Sequence, residues 1–427
     1  MLQAGFGKAD LTPPLGTHLA GHFSERPAQG IHDPLLATAV VMESGDERLA
    51  IVSCDLLGVP REVVRSVRDL VHQQVGLEAH QVMVHGTHTH AGPEMRSERH
   101  GVDGRYVDLA IQKIATAVVL AVRNLAPCEL VFTRGSESRL SFNRRFWMKD
   151  GSVRMNPGIG NTDIVRPAGP IDPDVLGLWV MREGQPAGLV ANFACHLDVL
   201  GAQYLVSADV PHYLRQTLSD ALARSIPVVY LNGTCGDINH INVTGGPGQS
   251  GFDHSAKMGR TLAGELLRSL QEAVPIEDTP LIGLSTQVQT SWRVWPEAEV
   301  EAARRTVDDP SVEKATWTRH RAMRILTVDA HHGEPRELEV QVFRIGSAAV
   351  VGVPGEVFCG VGLDIKKASP LPHVMVAELC NDNPGYIPLP SAFDEGGYEV
   401  DSAACAPETA ALLVEAASNL LAKAVGG

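Results

Sequence analysis

Short apolar segments typical of buried strands alternate with amphipathic segments typical of helices along this chain of 427 residues. The apolar run 48–54 is followed by a helical pattern over 61–74, and a strand-like run at 373–379 precedes a helix at 408–424. Such alternation packs helices onto the faces of sheets rather than forming a separate all-helical part. We therefore predict an α/β fold, a mixed β-sheet core flanked by helices, in a single domain over residues 1–427.

Strand-like and helix-like segments also alternate in the rest of the chain. Further predicted elements are a strand at 81–84, a hairpin of strands 176–181 and 188–194, a helix at 211–223, a strand at 227–231, a hairpin of strands 338–343 and 348–353 turned at Gly346, and a helix at 356–367. The region at about 280–330 is charged, contains tryptophan and is less regular, so we predict an inserted subdomain or lid there.

The charge balance restricts the partners of the protein, because 36 basic side chains face 50 acidic ones, a net charge of −14 at pH 7. Such a surface repels nucleic-acid phosphates and anionic lipid headgroups, so we expect no nucleic-acid partner and no role at a membrane surface. No apolar stretch approaches the roughly 18 residues of a membrane span, and the N-terminus lacks the pattern of a secretory signal. The seven cysteines are scattered without a C-x-x-C pair, which predicts reduced thiols and a cytoplasmic location. A homo-oligomer stays open.

Histidine-rich segments point to a metal site. His88 and His90 follow a predicted strand, and alternate residues of an extended segment point to the same side, so one can bind a metal while the other carries a proton. Polar loop histidines would produce the same H-x-H pattern, and this reading stays open. His196 ends an apolar strand, and Glu356 stands where we predict a helix to begin. Two histidines and a carboxylate at long spacings are a usual ligand set for a catalytic zinc that keeps one position for water.

Several motifs together resemble one family, the neutral (alkaline, non-lysosomal) ceramidases, in their N-terminal catalytic domain. The matching blocks occur in the family's order and are Gly7–Pro13, His88–Pro93, Phe142–Arg144, Asn192–His196, Asn232–Asn239, Pro354–Glu356 and Gly385–Tyr386. The resemblance implies that His88, His196 and Glu356 bind one Zn²⁺ with Tyr386 close to it. It also implies that His90 is the general acid or base and that Arg144 and Tyr386 hold the substrate oxygen.

On this resemblance we predict a zinc-dependent hydrolase that cleaves the linear amide (C–N) bond of a small or amphiphilic N-acyl substrate through attack of zinc-bound water. The serine to which the family assigns a catalytic role is replaced here by Asn239, which can orient a substrate but cannot accept an acyl group. Asp237 of the same segment is predicted to contact substrate. We also expect the separate C-terminal β-sandwich of ceramidases to be absent.

Basic residues follow the histidine loop and suggest an anion site for a substrate carboxylate. They include Arg96, Arg99 and His100, with Arg145 next to Arg144. A solvated loop with surface ion pairs is the simpler explanation of the same residues.

Other functions remain as alternatives. A zinc esterase or lactonase would attack the same kind of carbonyl, and a non-catalytic zinc protein would need no proton carrier. The G-x-S-x-G and H-E-x-x-H motifs are absent, which argues against a serine hydrolase and a thermolysin-like protease. The G-x-G-x-x-G match at 246–251 follows no strand and contains proline, which argues against dinucleotide binding.

Overall fold

The structure, a computed structural model, describes residues 1–96, 102–277, 280–313, 316–332 and 334–426. In the N-terminal half of these residues the strands are β1 (Gln3–Asp10), β2 (Gly30–Ile31), β3 (Leu36–Ser44), β4 (Glu47–Cys54), β5 (Val82–Gly86), β6 (Ala126–Pro127), β7 (Glu129–Ser136), β8 (Phe142–Asn143), β9 (Arg145–Met148), β10 (Val153–Met155), β11 (Ile164–Pro167), β12 (Asp174–Arg182) and β13 (Gln185–Phe193). The C-terminal half adds β14 (Leu205–Val206), β15 (Val228–Asn232), β16 (Ile238–Asn239), β17 (Val274–Pro275), β18 (Leu281–Ser291), β19 (Pro335–Ile345), β20 (Ala348–Gly352), β21 (Glu356–Val357), β22 (His373–Ala377) and β23 (Tyr386–Ile387).

The helices are distributed along the whole chain. They are α1 (Arg61–Val75), α2 (Gly104–Arg123), α3 (Val210–Ala221), α4 (Phe252–Leu270), α5 (Glu297–Asp308), α6 (Trp317–Asp329), α7 (Cys359–Ala368), α8 (Ala392–Glu395), α9 (Tyr398–Ser402) and α10 (Thr409–Gly426), and a 3₁₀ turn spans Ala79–Gln81.

Three larger sheets carry the fold. Their strand orders are β5-β4-β3-β1-β6, β15-β13-β12-β7-β17 and β18-β19-β20-β22. Each sheet is mostly antiparallel but contains one parallel pair, namely β4–β5, β13–β15 and β20–β22. A parallel pair needs a crossover connection, which explains why helices α1, α3 and α7 lie between those strands in the chain.

The three sheets share one apolar core. Side chains from all three inner faces pack together, among them Ile51, Leu178 and Phe343, each at most 1% exposed. The outer faces are covered by helices: α1 and α2 on the first sheet, α3 and α4 on the second, α7 and α10 on the third. The predicted α/β fold, a mixed β-sheet core flanked by helices, is confirmed.

Helices α5 and α6 are inserted between two paired strands. β18 and β19 run antiparallel from Leu281↔Ile345 to Ser291↔Pro335, so the intervening helices leave and return at one end of the sheet. They pack on each other around Val300 and Ile325. The irregular region predicted at 280–330 therefore contains a sheet strand followed by this helical pair, which we call the inserted hairpin.

Helix α10 differs from the expectation that no stretch is long and apolar enough for a membrane span. It has 18 residues with a mean hydropathy of 1.2. Leu413, Ala417 and Leu421 on one side of it are completely buried against the third sheet, as in the core helix of a folded domain.

Most predicted elements occur within a few residues of their expected positions, but one helix boundary is wrong. The helix predicted from 356 begins at Cys359, and Glu356 lies instead on the short strand β21, which pairs in parallel with β23. Its carboxylate is therefore held by strand pairing and not by a helix N-terminus.

Candidate active site

The carboxyl ends of β5, β13, β15, β20 and β22 meet at one place, although these strands belong to three sheets. Asn232 at the end of β15 connects them. Its main-chain N–H donates to Nε2 of His85 at 3.0 Å, and its side-chain Oδ1 accepts from the main-chain N–H of Cys195 at 3.2 Å. Its carbonyl accepts from the N–H of Glu378 at 3.1 Å. The loops after these strands carry the candidate residues, as expected for ligand sites in α/β sheets.

His88, His196 and Glu356 bring their donor atoms together. The two Nε2 atoms of His88 and His196 are 2.9 Å apart, and Oε2 of Glu356 lies 3.5 Å from the first and 4.0 Å from the second. Two ligands bound to one zinc at 2.0–2.1 Å would be about 3.3–3.5 Å apart in a tetrahedron, and the three observed separations, 2.9 to 4.0 Å, bracket this value. His90 joins this group, with its Nε2 3.3 Å from Nε2 of His88. We call His88, His196 and Glu356 the ligand cluster.

The backbone at His88 is unusual. Its φ is 74°, in the left-handed region that non-glycine residues rarely adopt. The segment is therefore not extended, and the reason from which we predicted a shared face for His88 and His90 is wrong, although the two rings do meet. The Nδ1 of His88 lies 2.8 Å from the carbonyl oxygen of Leu57 and must donate to it, which leaves a lone pair on Nε2 for a metal.

Burial keeps the three imidazoles in the neutral form that binds metals. It lowers the pKa of His88, although the carboxylate of Glu356 opposes this shift. It lowers the pKa of His196 well below its ordinary value, and that of His90 to about 3. The three imidazoles are therefore in the form that can bind a divalent metal ion.

Tyr386 and Arg144 lie beside the ligand cluster. Tyr386 is the strand partner of Glu356, and its hydroxyl accepts a hydrogen bond of 3.1 Å from Nη2 of Arg144. Nε of Arg144 donates to Glu399 at 2.7 Å, and Nη2 also donates to the carbonyl of Gly236 at 2.7 Å. Burial alone would lower the pKa of Arg144, but Tyr386 and Glu399 outweigh it and raise the pKa well above its usual range. A fixed positive charge therefore stands next to the cluster.

The backbone of His90 is fixed on both sides. Its main-chain N–H donates to the carbonyl of Leu197 at 3.2 Å, and its main-chain carbonyl accepts from Nη2 of Arg26 at 2.7 Å. Gly21, with φ of 90°, lies so close that a Cβ there would be 2.4 Å from Nδ1 of His90. Only glycine combines this backbone conformation with room for the ring.

Asn239, at the position of the family's serine, lies on β16 and is 5% exposed. Its amide nitrogen donates to Oδ1 of Asn156 at 3.0 Å, and its Oδ1 accepts from the N–H of Ile241 at 3.0 Å. Its predicted contact with substrate stays a prediction.

Asp237 is buried and both of its oxygens accept hydrogen bonds from the protein. Asn143 donates to Oδ2 at 2.8 Å, and the N–H of Cys359, the first residue of α7, donates to Oδ1 at 2.7 Å. Burial raises its pKa to about 6. These contacts join its loop to α7, and its predicted role in substrate binding stays a prediction.

The arginines of the predicted anion site have carboxylate partners. Arg145 donates to Glu395 at 2.8 Å and to the carbonyl of Gly396 at 3.0 Å, and is 2% exposed. Arg96 forms a two-pronged ion pair with Glu94, at 2.8 and 2.7 Å. Of the other predicted members, Arg99 and His100 lie outside the described residues. An anion site formed by Arg96 and Arg145 stays a prediction.

Cys235 is not exposed to the site. It is completely buried, and its Sγ donates to Oε1 of Glu378 at 3.0 Å. Oε2 of Glu378 accepts from the N–H groups of Cys235 and Val357, each at 2.9 Å. Burial raises the pKa values of the thiol and of the carboxyl group well above their ordinary ranges. Glu378 thus fixes Val357, next to Glu356, to the loop after β15.

A row of aromatic rings leads from the site to the surface. Ring centroids are 5.6 Å apart for Tyr386 and Tyr398, 4.9 Å for Tyr398 and Trp317, and 5.7 Å for Trp317 and Phe23. Trp317 begins α6, so the inserted hairpin supplies part of this row, and Phe23 is 41% exposed. We call these four residues the aromatic row.

Several residues near the site were not predicted. Glu399 and Glu378 are acidic residues far along the chain from the groups they hold, and no local pattern distinguishes them. His22 and Asp198 lie beside His90, with Asp198 only two residues after His196. That spacing was a signal that sequence reasoning could have used.

Comparison with known proteins agrees with this geometry. The family model for the N-terminal part of neutral/alkaline non-lysosomal ceramidases matches residues 2–217, about half of the chain. The fold is similar to the crystal structure of neutral ceramidase from Pseudomonas aeruginosa, with a TM-score of 0.76 at 21% identity over 99% of this chain and 75% of that one. A structure of ceramidase complexed with C2 gives a TM-score of 0.74 at 19% identity, with the same two shares covered. The chain therefore belongs to the neutral/alkaline non-lysosomal ceramidase family.

Proposed function

We propose that this protein is a zinc-dependent amidohydrolase that cleaves the linear amide bond of a small or amphiphilic N-acyl substrate. The observation that carries the proposal is the meeting of His88, His196 and Glu356, from three separate loops, with the Arg144–Tyr386 pair beside them. Membership of the ceramidase family supports amide chemistry at this place.

His88, His196 and Glu356 would hold the zinc, with Tyr386 close to it. When bound, zinc polarises a substrate carbonyl and lowers the pKa of a water molecule towards about 7. Stabilisation of the developing negative charge and transfer of the proton are carried out by protein side chains.

Arg144 and Tyr386 stabilise the negative charge that develops on the substrate oxygen. The Arg144 guanidinium is held by Glu399 and by the carbonyl of Gly236, so it does not have to reorganise during the reaction. The Tyr386 hydroxyl is protonated at neutral pH, because burial raises its pKa well above the ordinary value even though Arg144 opposes the shift. It can therefore donate a hydrogen bond.

His90 carries the proton. Its Nε2 faces the ligand cluster, and a neutral imidazole there can exchange one proton with the attacking water and the leaving nitrogen. The water contributes its oxygen to the carboxylate product, and its proton reaches the amine through Nε2. An amine leaves poorly without protonation, which is why amide cleavage needs this group.

The nucleophile in this proposal is water and not a side chain. Asn239 has no nucleophilic atom. Cys235 is completely buried, and the raised pKa of its thiol opposes the thiolate form that attack requires.

The closest competing function is cleavage of an ester or lactone, since its carbonyl is the same electrophile. The test is a panel of matched pairs in which the same acyl group is joined to a sphingoid base, a simple amine or an alcohol. Wild-type protein is stripped with a chelator, reloaded with Zn²⁺ and assayed by mass spectrometry for the released amine or alcohol. We expect amide cleavage that chelation abolishes and zinc restores.

His90→Ala separates the two functions. We expect amide turnover to fall by about 10²–10⁴, the range for a general acid or base, and cleavage of an activated ester to fall less. His72→Gln, on an exposed part of α1, is the matched control. Unchanged amide turnover in His90→Ala would remove His90 from the mechanism. If the zinc-loaded wild type cleaves esters but no amides, the protein is an esterase instead.

A further inference from the structure

We propose that the protein binds a second divalent cation next to the ligand cluster, held by His22, Asp198 and Nδ1 of His90. We call these three residues the second cluster. The inference shares with the proposed function only the ring of His90, and the expected total of two ions per chain rests on the proposed zinc site. It does not depend on the substrate.

The distances within the second cluster fit one shared ion. Nε2 of His22 lies 3.6 Å from Oδ1 of Asp198, and Nδ1 of His90 lies 3.8 Å from the same oxygen. These separations are too long for hydrogen bonds. Two ligand atoms at about 2.0–2.2 Å from an ion are roughly 3.3–4.0 Å apart, depending on the angle between them. All three ligand atoms lie within 4.8 Å of one another.

The three ligand atoms are also buried without a hydrogen-bond partner among the described residues. This holds for Nε2 of His22, Nδ1 of His90 and Oδ1 of Asp198. More than about nine in ten buried polar groups in proteins have a partner, because an unpaired one loses its hydration without compensation. Three unpaired lone-pair atoms that face each other indicate a common ligand, and two of the three are the nitrogen type that transition metals prefer.

The neighbouring positive charge does not occupy the place of this cation. Arg26 lies close by, but its guanidinium donates to the carbonyl oxygens of Ala20, Gln203 and His90. These contacts of Nη1 and Nη2 do not involve the Asp198 carboxylate, and Nε of Arg26 has no hydrogen-bond partner among the described residues. The side chains of His22 and Asp198 are 23% and 38% exposed, so an ion can enter from solvent.

Two imidazoles and one carboxylate select the class of cation. Zn²⁺, Mn²⁺ and Co²⁺ accept such mixed nitrogen and oxygen sets, whereas Ca²⁺ and Mg²⁺ prefer about six or more oxygens. A cation on Nδ1 would also hold the ring of His90 with its Nε2 towards the ligand cluster, 3.3 Å from Nε2 of His88.

Metal content tests the second cluster without reference to activity. Protein stripped with a chelator, reloaded with excess Zn²⁺ and desalted is measured by mass spectrometry of the metal. We expect two ions per chain in the wild type and one in His22→Gln and in Asp198→Asn. We also expect one in His88→Ala and none in the double variant His88→Ala/Asp198→Asn. His32→Gln, an imidazole that lies beside Asp33 outside both clusters, is the control and should keep two.

Titration of the stripped wild type with Co²⁺, followed by absorption, gives a measurement that needs no variant. We expect two Co²⁺ binding steps with different visible spectra. For the variants of the metal analysis, circular dichroism verifies that each protein is folded. One ion per chain in the wild type at saturating Zn²⁺ that persists in Asp198→Asn and is lost in His88→Ala, with a single Co²⁺ step, overturns the proposal. So do two ions that both persist in folded Asp198→Asn. Failure of the proposed function is distinct, since it would leave two ions in a protein that cleaves no amide.

Discussion

The thiol of Cys235 donates a 3.0 Å hydrogen bond to the carboxyl group of Glu378, and both groups are completely buried. This contact ties the loop after β15 to the end of β22. It places the thiol of the loop that carries the family's serine position inside the protein rather than in the site.

Cys235→Ala should therefore keep most of its activity. We expect amide turnover within a few-fold of wild type and a loss of about 0.5–1.5 kcal/mol in the free energy of unfolding, since one buried hydrogen bond is removed. Steady-state kinetics and denaturant unfolding measure the two. Loss of turnover in a folded, zinc-loaded variant, together with an acyl adduct in the intact mass of quenched wild type, would show a covalent mechanism.

Asn239→Ala should reduce turnover in part and not abolish it, because Asn239 orients its surroundings through Asn156 without supplying a nucleophile. Removing one such hydrogen bond corresponds to about 0.5–1.5 kcal/mol, or roughly 2- to 13-fold. The kcat and KM of the variant measure this loss. Asn156→Ala, which removes the other partner of the Asn239–Asn156 hydrogen bond, is the matched control. A complete loss in Asn239→Ala with zinc retained would contradict the orienting role.

His88→Ala and His196→Ala should each lose about one metal ion per chain relative to wild type. The reason is that two ligands that meet at 2.9 Å belong to the same ion. Metal analysis after reloading measures this, and His85→Asn is a demanding control, since His85 is equally buried but bonds to the N–H of Asn232. Full metal content in both ligand variants would contradict the assignment.

The metal-free protein should lose stability as the pH falls, and His90 should contribute to that loss. Burial lowers its pKa to about 3, whereas the unfolded chain has an ordinary value of about 6.5. Between these values the unfolded state binds more protons, so the contribution of His90 is present above about pH 6.5 and is lost as the pH falls towards 3. The slope is up to about 1.4 kcal/mol per pH unit.

His90→Gln should remove that part of the slope. Denaturant unfolding with a chelator at pH 7, 6 and 5 compares the variant with wild type and with His72→Gln. Equal pH dependence in His90→Gln and wild type would show that the imidazole is protonated in the folded state.

Trp317→Ala should weaken binding of substrates with a long or flat acyl group. The aromatic row connects Trp317 through Tyr398 to Tyr386, so an apolar group that extends outward from the metal site would lie along it. Loss of one such contact is about 1–3 kcal/mol, a rise in KM of roughly 5- to 150-fold. An N-acetyl substrate should be unaffected, and Trp292→Ala, at the base of the inserted hairpin, is the control. Equal effects on short and long acyl groups would exclude the row as a binding surface.

The sequence by itself determined the fold class and pointed to the candidate site residues. Apolar periodicity located part of the strands and helices, because which side of a segment is apolar decides which side is buried, whereas the long helices α2 and α4 were not predicted. The motifs around His88, His196 and Glu356 identified these residues, and the resemblance that they carry named the family.

Only the tertiary structure decided how those residues are held. The left-handed backbone at His88 and the strand pairing of Glu356 with Tyr386 depend on neighbours from distant parts of the chain, which local patterns do not encode. The same applies to Glu399, which holds Arg144 from 255 residues away, and to His22 at Asp198. The charge and hydrogen bonding of a buried side chain depend on what packs around it, and packing is settled only when the three sheets meet.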